Sequence, residues 1–159
     1  MAKRRYWLMK SEPDVYSIDH LAKEKQDHWD GIRNYQARNH MRDMAVGDMV
    51  LFYHSNADPP GVAGVCKVCK TAYPDHTQFD KRSKYFDAKS KKDDPRWWMV
   101  DVEFVEKLPE YVPLATLRDD PALAEMLVIR KGMRLSVQPV DKDHFKHVLK
   151  LARARTRVR

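Results

Sequence analysis

The chain has 159 residues, 30 Lys and Arg against 23 Asp and Glu, a net charge of +7 and a pI near 9.4. That length suits one domain with a core large enough to need no disulfide or metal, and the positive excess favours a polyanionic partner. The apolar run after the basic start is too short for a signal peptide or a membrane span, and two cysteines fit a reducing cytosolic compartment.

Residues 6–10 read as a short apolar strand, stopped by Pro13. Ser17 caps a helix over 18–25, where Ile18, Leu21 and Ala22 share a face. Trp29-Asp30-Gly31 turns the chain. Asn34 caps a second helix over 35–44, with Ala37, Met41 and Met44 facing a core and Arg38 and Arg42 one turn apart on another side. Gly47-Asp48 makes a turn into an apolar strand over 49–54, which ends in the loop Ser55-Asn56-Ala57-Asp58-Pro59-Pro60-Gly61. A long strand follows over 62–73, and Gly64 within it signals a bulge or a close approach of another backbone.

From 74 to 96 apolar periodicity disappears, giving a long functional or mobile loop in which Phe79, Tyr85 and Phe86 pack down. Strand returns over 97–108, with Trp98, Val100, Val102 and Phe104 on one face. Asp120-Pro121 opens a short helix through Met126. A last strand covers 133–139. Asp141 caps a final helix with Phe145, Val148, Leu149 and Ala152 at helical spacing. The basic run from 152 to 159 reads as a frayed tail, leaving one domain over 1–155 and a tail over 156–159. Strands in the middle without intervening helices predict an α+β fold whose sheet is mostly antiparallel and curled toward a barrel flanked by helices.

The stretch Trp-Asp-Gly-Ile-Arg-Asn-Tyr-Gln-Ala-Arg-Asn at 29–39 combines rings, guanidinium groups and amides, a mixture suited to a flat polar ligand such as a nucleobase. Cys66 and Cys69 lack a second pair, and a spacing of three in a strand sends their thiols to opposite faces. His144 and His147 lie one helical turn apart without a third ligand. Neither pair is expected to hold a metal. Glycine-rich phosphate loops and nucleophile elbows are absent, so no catalytic residue and no cofactor is expected.

These residues resemble the EVE domain family, a branch of the PUA-like superfamily, and within it the thymocyte nuclear protein group. The resemblance rests on Tyr-Trp-Leu-Met-Lys-Ser-Glu-Pro at 6–13, the 29–39 stretch, Phe-Tyr-His-Ser-Asn at 52–56, Pro-Gly-Val-Ala-Gly at 60–64, Ala-Tyr-Pro-Asp at 72–75, Trp-Met-Val-Asp-Val at 98–102 and Arg-Leu-Ser-Val-Gln-Pro-Val at 134–140. It implies a PUA-like barrel whose cleft binds a modified base of DNA or RNA. Carried over by position, it assigns pocket roles to Lys10, Ser11, Trp29, Asn34, Tyr53, His54, Ser55, Asn56, Ser136 and Gln138. Trp29 or Tyr53 is expected to stack on the base, and Arg33, Arg38 and Lys10 to hold flanking phosphates. The expected function is a non-enzymatic nucleic-acid reader. The alternatives are an enzyme acting on a nucleotide or modified base, with His54 as general base, or a small-molecule or protein-interaction module on the same scaffold. The nuclear members carry a long basic N-terminal extension that this sequence does not show, so a free-standing cytoplasmic protein is expected.

Overall fold

In the computed structural model, which describes residues 3–158, six strands make one sheet. They are β1 (Tyr6–Ser11), β2 (Gln26–Trp29), β3 (Met49–His54), β4 (Gly61–Pro74), β5 (Trp98–Pro113) and β6 (Val137–Val140), paired in the order β2-β5-β4-β3-β1-β6. Every pair is antiparallel except β1 with β3. Four helices flank the sheet: α1 (Ile18–Glu24), α2 (Tyr35–Asp43), α3 (Leu114–Asp119) and α4 (Lys142–Leu151).

Strands β1 and β3 are apolar on both faces, and their two-residue alternation divides the interior into two cores. Tyr6, Leu8, Met49, Leu51 and Tyr53 face one core, covered by Leu117, Leu123, Phe145 and Val148. Trp7, Met9, Val50 and Phe52 face the other, covered by Ile18 and Leu21 of α1 and by Ala37 and Met41 of α2. Fully buried Asp48 braces the start of the parallel pair, accepting from Trp7 Nε1 at 3.0 Å, Ala45 N at 3.0 Å and Arg5 N at 3.1 Å.

The second core is the concave side of a strongly curled sheet. Strands β2 and β3 are three positions apart, a flat-sheet distance of about 14 Å, yet Trp29 and Phe52 meet edge to face with centroids 5.1 Å apart. Register shifts along β4 and β5, one of them between Val62 and Gly64, supply the bending. At Gly64 a Cβ would stand 2.4 Å from the Ile18 side chain, so the missing side chain lets α1 settle on the sheet.

The expected barrel does not close. Strands β2 and β6 remain edges, each only four residues long, and Pro139 in β6 lacks an N–H to donate. Helix α2 spans the gap instead, packing on β6 at one edge and on β5 beside the other.

Several elements differ from the expectation. Strand β2 falls between the expected first helix and the turn expected at 29–31, where no strand was expected, because its sequence Gln-Asp-His-Trp carries no apolar alternation. Helix α3 was not expected, β5 runs five residues further, and only Val137–Val140 of the last segment pairs as strand. Asp141 occupies the N-cap position of α4 without making a side-chain cap bond. The frayed tail is also corrected. Ala152 and Ala154 are buried, and Glu106 accepts from Arg155 N, Thr156 N and Thr156 Oγ1. Arg159, the end of that tail, lies outside the described residues.

Candidate functional site

Strands β1 and β3 run in parallel and end together, and their ends gather seven of the ten expected pocket residues: Lys10, Ser11, Tyr53, His54, Ser55, Asn56 and Ser136. Lys10 N donates to Ser136 O at 2.9 Å and Ser55 N donates to Ser11 O at 3.0 Å, so the backbone itself fixes the register of this end. Lys10 Nζ donates to Met133 O at 3.2 Å and sits 5.8 Å from the Tyr53 ring centroid. Burial lowers the Lys10 pKa from its ordinary value, the mark of an ammonium stripped of part of its water. Burial also pushes the Tyr53 phenol up to about 12, keeping it a neutral group.

The residues share one place but not one wall. By strand alternation Lys10 and Tyr53 face the α4 side, while Ser11 and His54 face the α1 side. Ser11 Oγ donates to Tyr16 O at 2.6 Å, closing the turn into α1. His54 Nε2 accepts from Ile18 N at 3.2 Å, satisfying one of the N–H groups left over at the start of α1. Burial lowers the His54 pKa, with Asp19 opposing and Lys107 reinforcing the shift, so the imidazole is held neutral. The lone pair that a general base would use is therefore engaged. Asn56, at φ 49°, donates from Nδ2 to Glu12 Oε1 at 2.5 Å and is exposed.

Three expected pocket residues lie elsewhere. Trp29 is only 9% exposed and packs on Phe52, so it offers no open face for stacking. Tyr53, within the strand-end cluster, is 3% exposed and has the same limitation as Trp29. Asn34 caps α2, its side chain accepting from Ala37 N at 2.9 Å. Gln138 is 1% exposed and donates from Nε2 to Leu135 O at 2.7 Å. It lines a cavity of about 190 Å³ beside β6, with Met126, Leu127, Pro139, Val140 and His144.

Two of the three expected phosphate residues, Arg33 and Arg38, are braces. All five N–H donors of Arg33 are engaged: Nε and Nη2 with Tyr85 O, Nη2 also with Thr77 Oγ1, and Nη1 with Asp75 and Ile32 O. No donor remains for a phosphate, which corrects that expectation. Arg38 donates from Nη1 to Arg96 O at 2.9 Å and from Nε and Nη2 to Asn39 Oδ1.

The residues that hold the 74–96 segment were not foreseen. Asp75 is fully buried. Burial alone would raise its pKa, but bonds from Thr77, Gly31 N and Arg33 outweigh that and hold the carboxyl below its ordinary value. Gln78, also fully buried, donates to Asp75 O and Trp97 O and accepts from Trp97 N and Ser90 Oγ. Asp87 accepts from Trp97 Nε1 at 2.8 Å. The loop is thus a pinned structure on polar pegs. The Asp-x-Thr pattern at 75–77, which closes its own turn, was the available signal.

No group of three or more His, Cys, Asp or Glu is placed to hold a metal among the described residues. Cys66 is buried and Cys69 half-buried, both as free thiols, and burial pushes both thiols up. His147 pairs with Asp120 at 2.6 Å.

The EVE domain model matches residues 5–151. Human thymocyte nuclear protein 1 is 44% identical over 164 residues, 92% of this chain and 73% of the relative. A protein from Leishmania major has a solved structure that superposes with a TM-score of 0.91 at 48% identity, covering 95% of this chain and 96% of that one. The human THYN1 protein, crystallised in complex with 5-methylcytosine-containing DNA, superposes with a TM-score of 0.88 at 42% identity, covering 96% and 99%.

Proposed function

The chain belongs to the EVE domain family, and from that premise we propose that it is a non-enzymatic nucleic-acid reader that takes one modified, extruded base of DNA or RNA at the joined ends of β1 and β3. The observation that carries this reading is the meeting of Lys10, Ser55, Asn56 and Ser136, distant in sequence, at one strand end. Lys10 offers a partly dehydrated ammonium to a base carbonyl or a neighbouring phosphate. Ser55, Asn56 and Ser136 can donate and accept along a heterocycle's edge. The human relative crystallised with 5-methylcytosine-containing DNA makes that base the first ligand to try.

Extrusion from a duplex costs a few kcal/mol. With Trp29 and Tyr53 both covered, edge hydrogen bonds and contacts to the modifying group must supply the selectivity. Fluorescence anisotropy with duplexes that differ by a single 5-methylcytosine tests this. The expected result is tighter binding of the methylated duplex, with the ratio erased in Lys10→Met and reduced in Asn56→Ala. Equal, weak, salt-erased binding to every oligonucleotide would overturn the reading. Mass spectrometry of the oligonucleotide after incubation should return it unchanged; a shifted mass would make the protein an enzyme.

A further inference from the structure

Away from the strand-end cluster, the start of α2 and the pinned 74–97 segment together build an exposed surface of alternating rings and cations. Trp97 is buried and anchored through Nε1 to Asp87, and Tyr35 stacks on it with centroids 4.9 Å apart at 27°. Tyr35 nevertheless remains 52% exposed, although α2 could bury an aromatic residue on its inner face. Cations lie over Tyr35 and over two further, half-buried rings: Arg38 at 4.8 Å from Tyr35, Arg42 at 4.8 Å from Trp98, and Lys84 at 5.1 Å from Tyr85. Residues 80–96 carry seven cations against four carboxylates. Among the described residues Arg42 and Lys84 make no ion pair, while Asp87 is turned inward onto Trp97 and Arg96.

We propose that this ledge holds the nucleic-acid strand that carries the bound base, with Tyr35 stacking an unpaired nucleotide of that strand and Arg42 and Lys84 contacting phosphates. The inference rests on the reader function and locates a second contact surface for it. Charge selects a polyanion. The exposed Tyr35 ring among cations selects one with unpaired bases, because an unpaired base offers a face to stack while a closed duplex covers its base faces and presents only edges and backbone. The buried Asp75, Gln78 and Ser90 network holds the 74–97 side of the ledge in place before binding, so little ordering entropy is lost on that side. Arg33, fixed beneath the ledge, accounts for its rigidity rather than its affinity.

The test compares a duplex containing one 5-methylcytosine with the same duplex carrying a short unpaired thymine flank, over a range of salt. The flank should tighten binding by the wild type and by Tyr35→Phe about tenfold, and should have little effect with Tyr35→Ala. Arg42→Gln combined with Lys84→Gln should lower the slope of log affinity against log salt by about 2. Arg42 and Lys84 are exposed and Tyr35→Phe keeps the ring on Trp97, so these variants should melt with the wild type, while Tyr35→Ala loses the stack and is compared well below its own melting midpoint. Unchanged flank dependence and unchanged slope in these variants would overturn the ledge while leaving methyl discrimination, and hence the reader function, intact. Loss of methyl discrimination in the wild type would instead overturn the reader function.

Discussion

The Asp75 carboxylate shows how one buried charge can organise more than twenty residues of irregular chain. It has no exposure, and it receives Arg33 Nη1 at 3.1 Å, Gly31 N at 2.8 Å and two bonds from Thr77. Removing one partner of such a pair costs about 3–5 kcal/mol, toward the lower figure here because Arg33 is 21% exposed. Asp75→Ala should therefore lose about 3 kcal/mol in urea unfolding, and Thr77→Ala should lose about 1 kcal/mol. His54 has the opposite role, a ring kept neutral so that Nε2 can accept from Ile18 N. Its folded pKa lies below the unfolded value near 6.5, so the unfolded chain binds the proton more readily. The contribution to stability is fully present above that unfolded value and is lost as pH falls through the folded one. His40, also lowered by burial, adds to the same trend. Melting temperature should fall from pH 7 to pH 5, and less steeply in His54→Gln, whose amide oxygen can still accept from Ile18.

Among the elements, legibility followed apolar pattern. Strand β3 and the starts of α1 and α2 were readable because Met49–His54 is a continuous apolar run and because Ser17 and Asn34 both make their cap bonds. Strand β2 was not readable, since its residues are chosen by pairing with β5 rather than by a buried face. The 74–96 segment reads in sequence only as a long loop with a few aromatics packed down, because polar pegs leave no periodic trace. The same difference explains the site. The residues at the ends of β1 and β3 could be grouped from sequence, but Trp29 and Asn34 have local structural roles that composition alone does not separate from ligand binding. Tyr35 counts among the rings of the 29–39 stretch, but its pairing with Trp97 is not legible in sequence because the stack forms across two segments. Gly64, by contrast, signals a bulge or a close approach of another backbone, and the structure provides both, a register shift and the Glu106 carbonyl oxygen 2.9 Å from where a Cβ would stand, with the Ile18 side chain nearer still. Gly64→Ala should destabilise by about 1–3 kcal/mol, and Ile18→Val in the same chain should recover part of the loss, as a double-mutant cycle in urea would report.

At the scale of the whole molecule, the curled sheet brings the polar ends of β1 and β3 together while helices cover both faces. Helix α2 is central to this arrangement, since it replaces the hydrogen bonds that would join β6 to β2 in a closed barrel. Side-chain packing across that seam is non-directional and can separate by small steps, whereas a backbone ladder must break in registered pairs. The seam should then be the easiest part of the fold to breathe. Hydrogen exchange followed by mass spectrometry should find α2 amides trading deuterium through a local opening, well before those of β1, β3 and β4, which should wait for global unfolding.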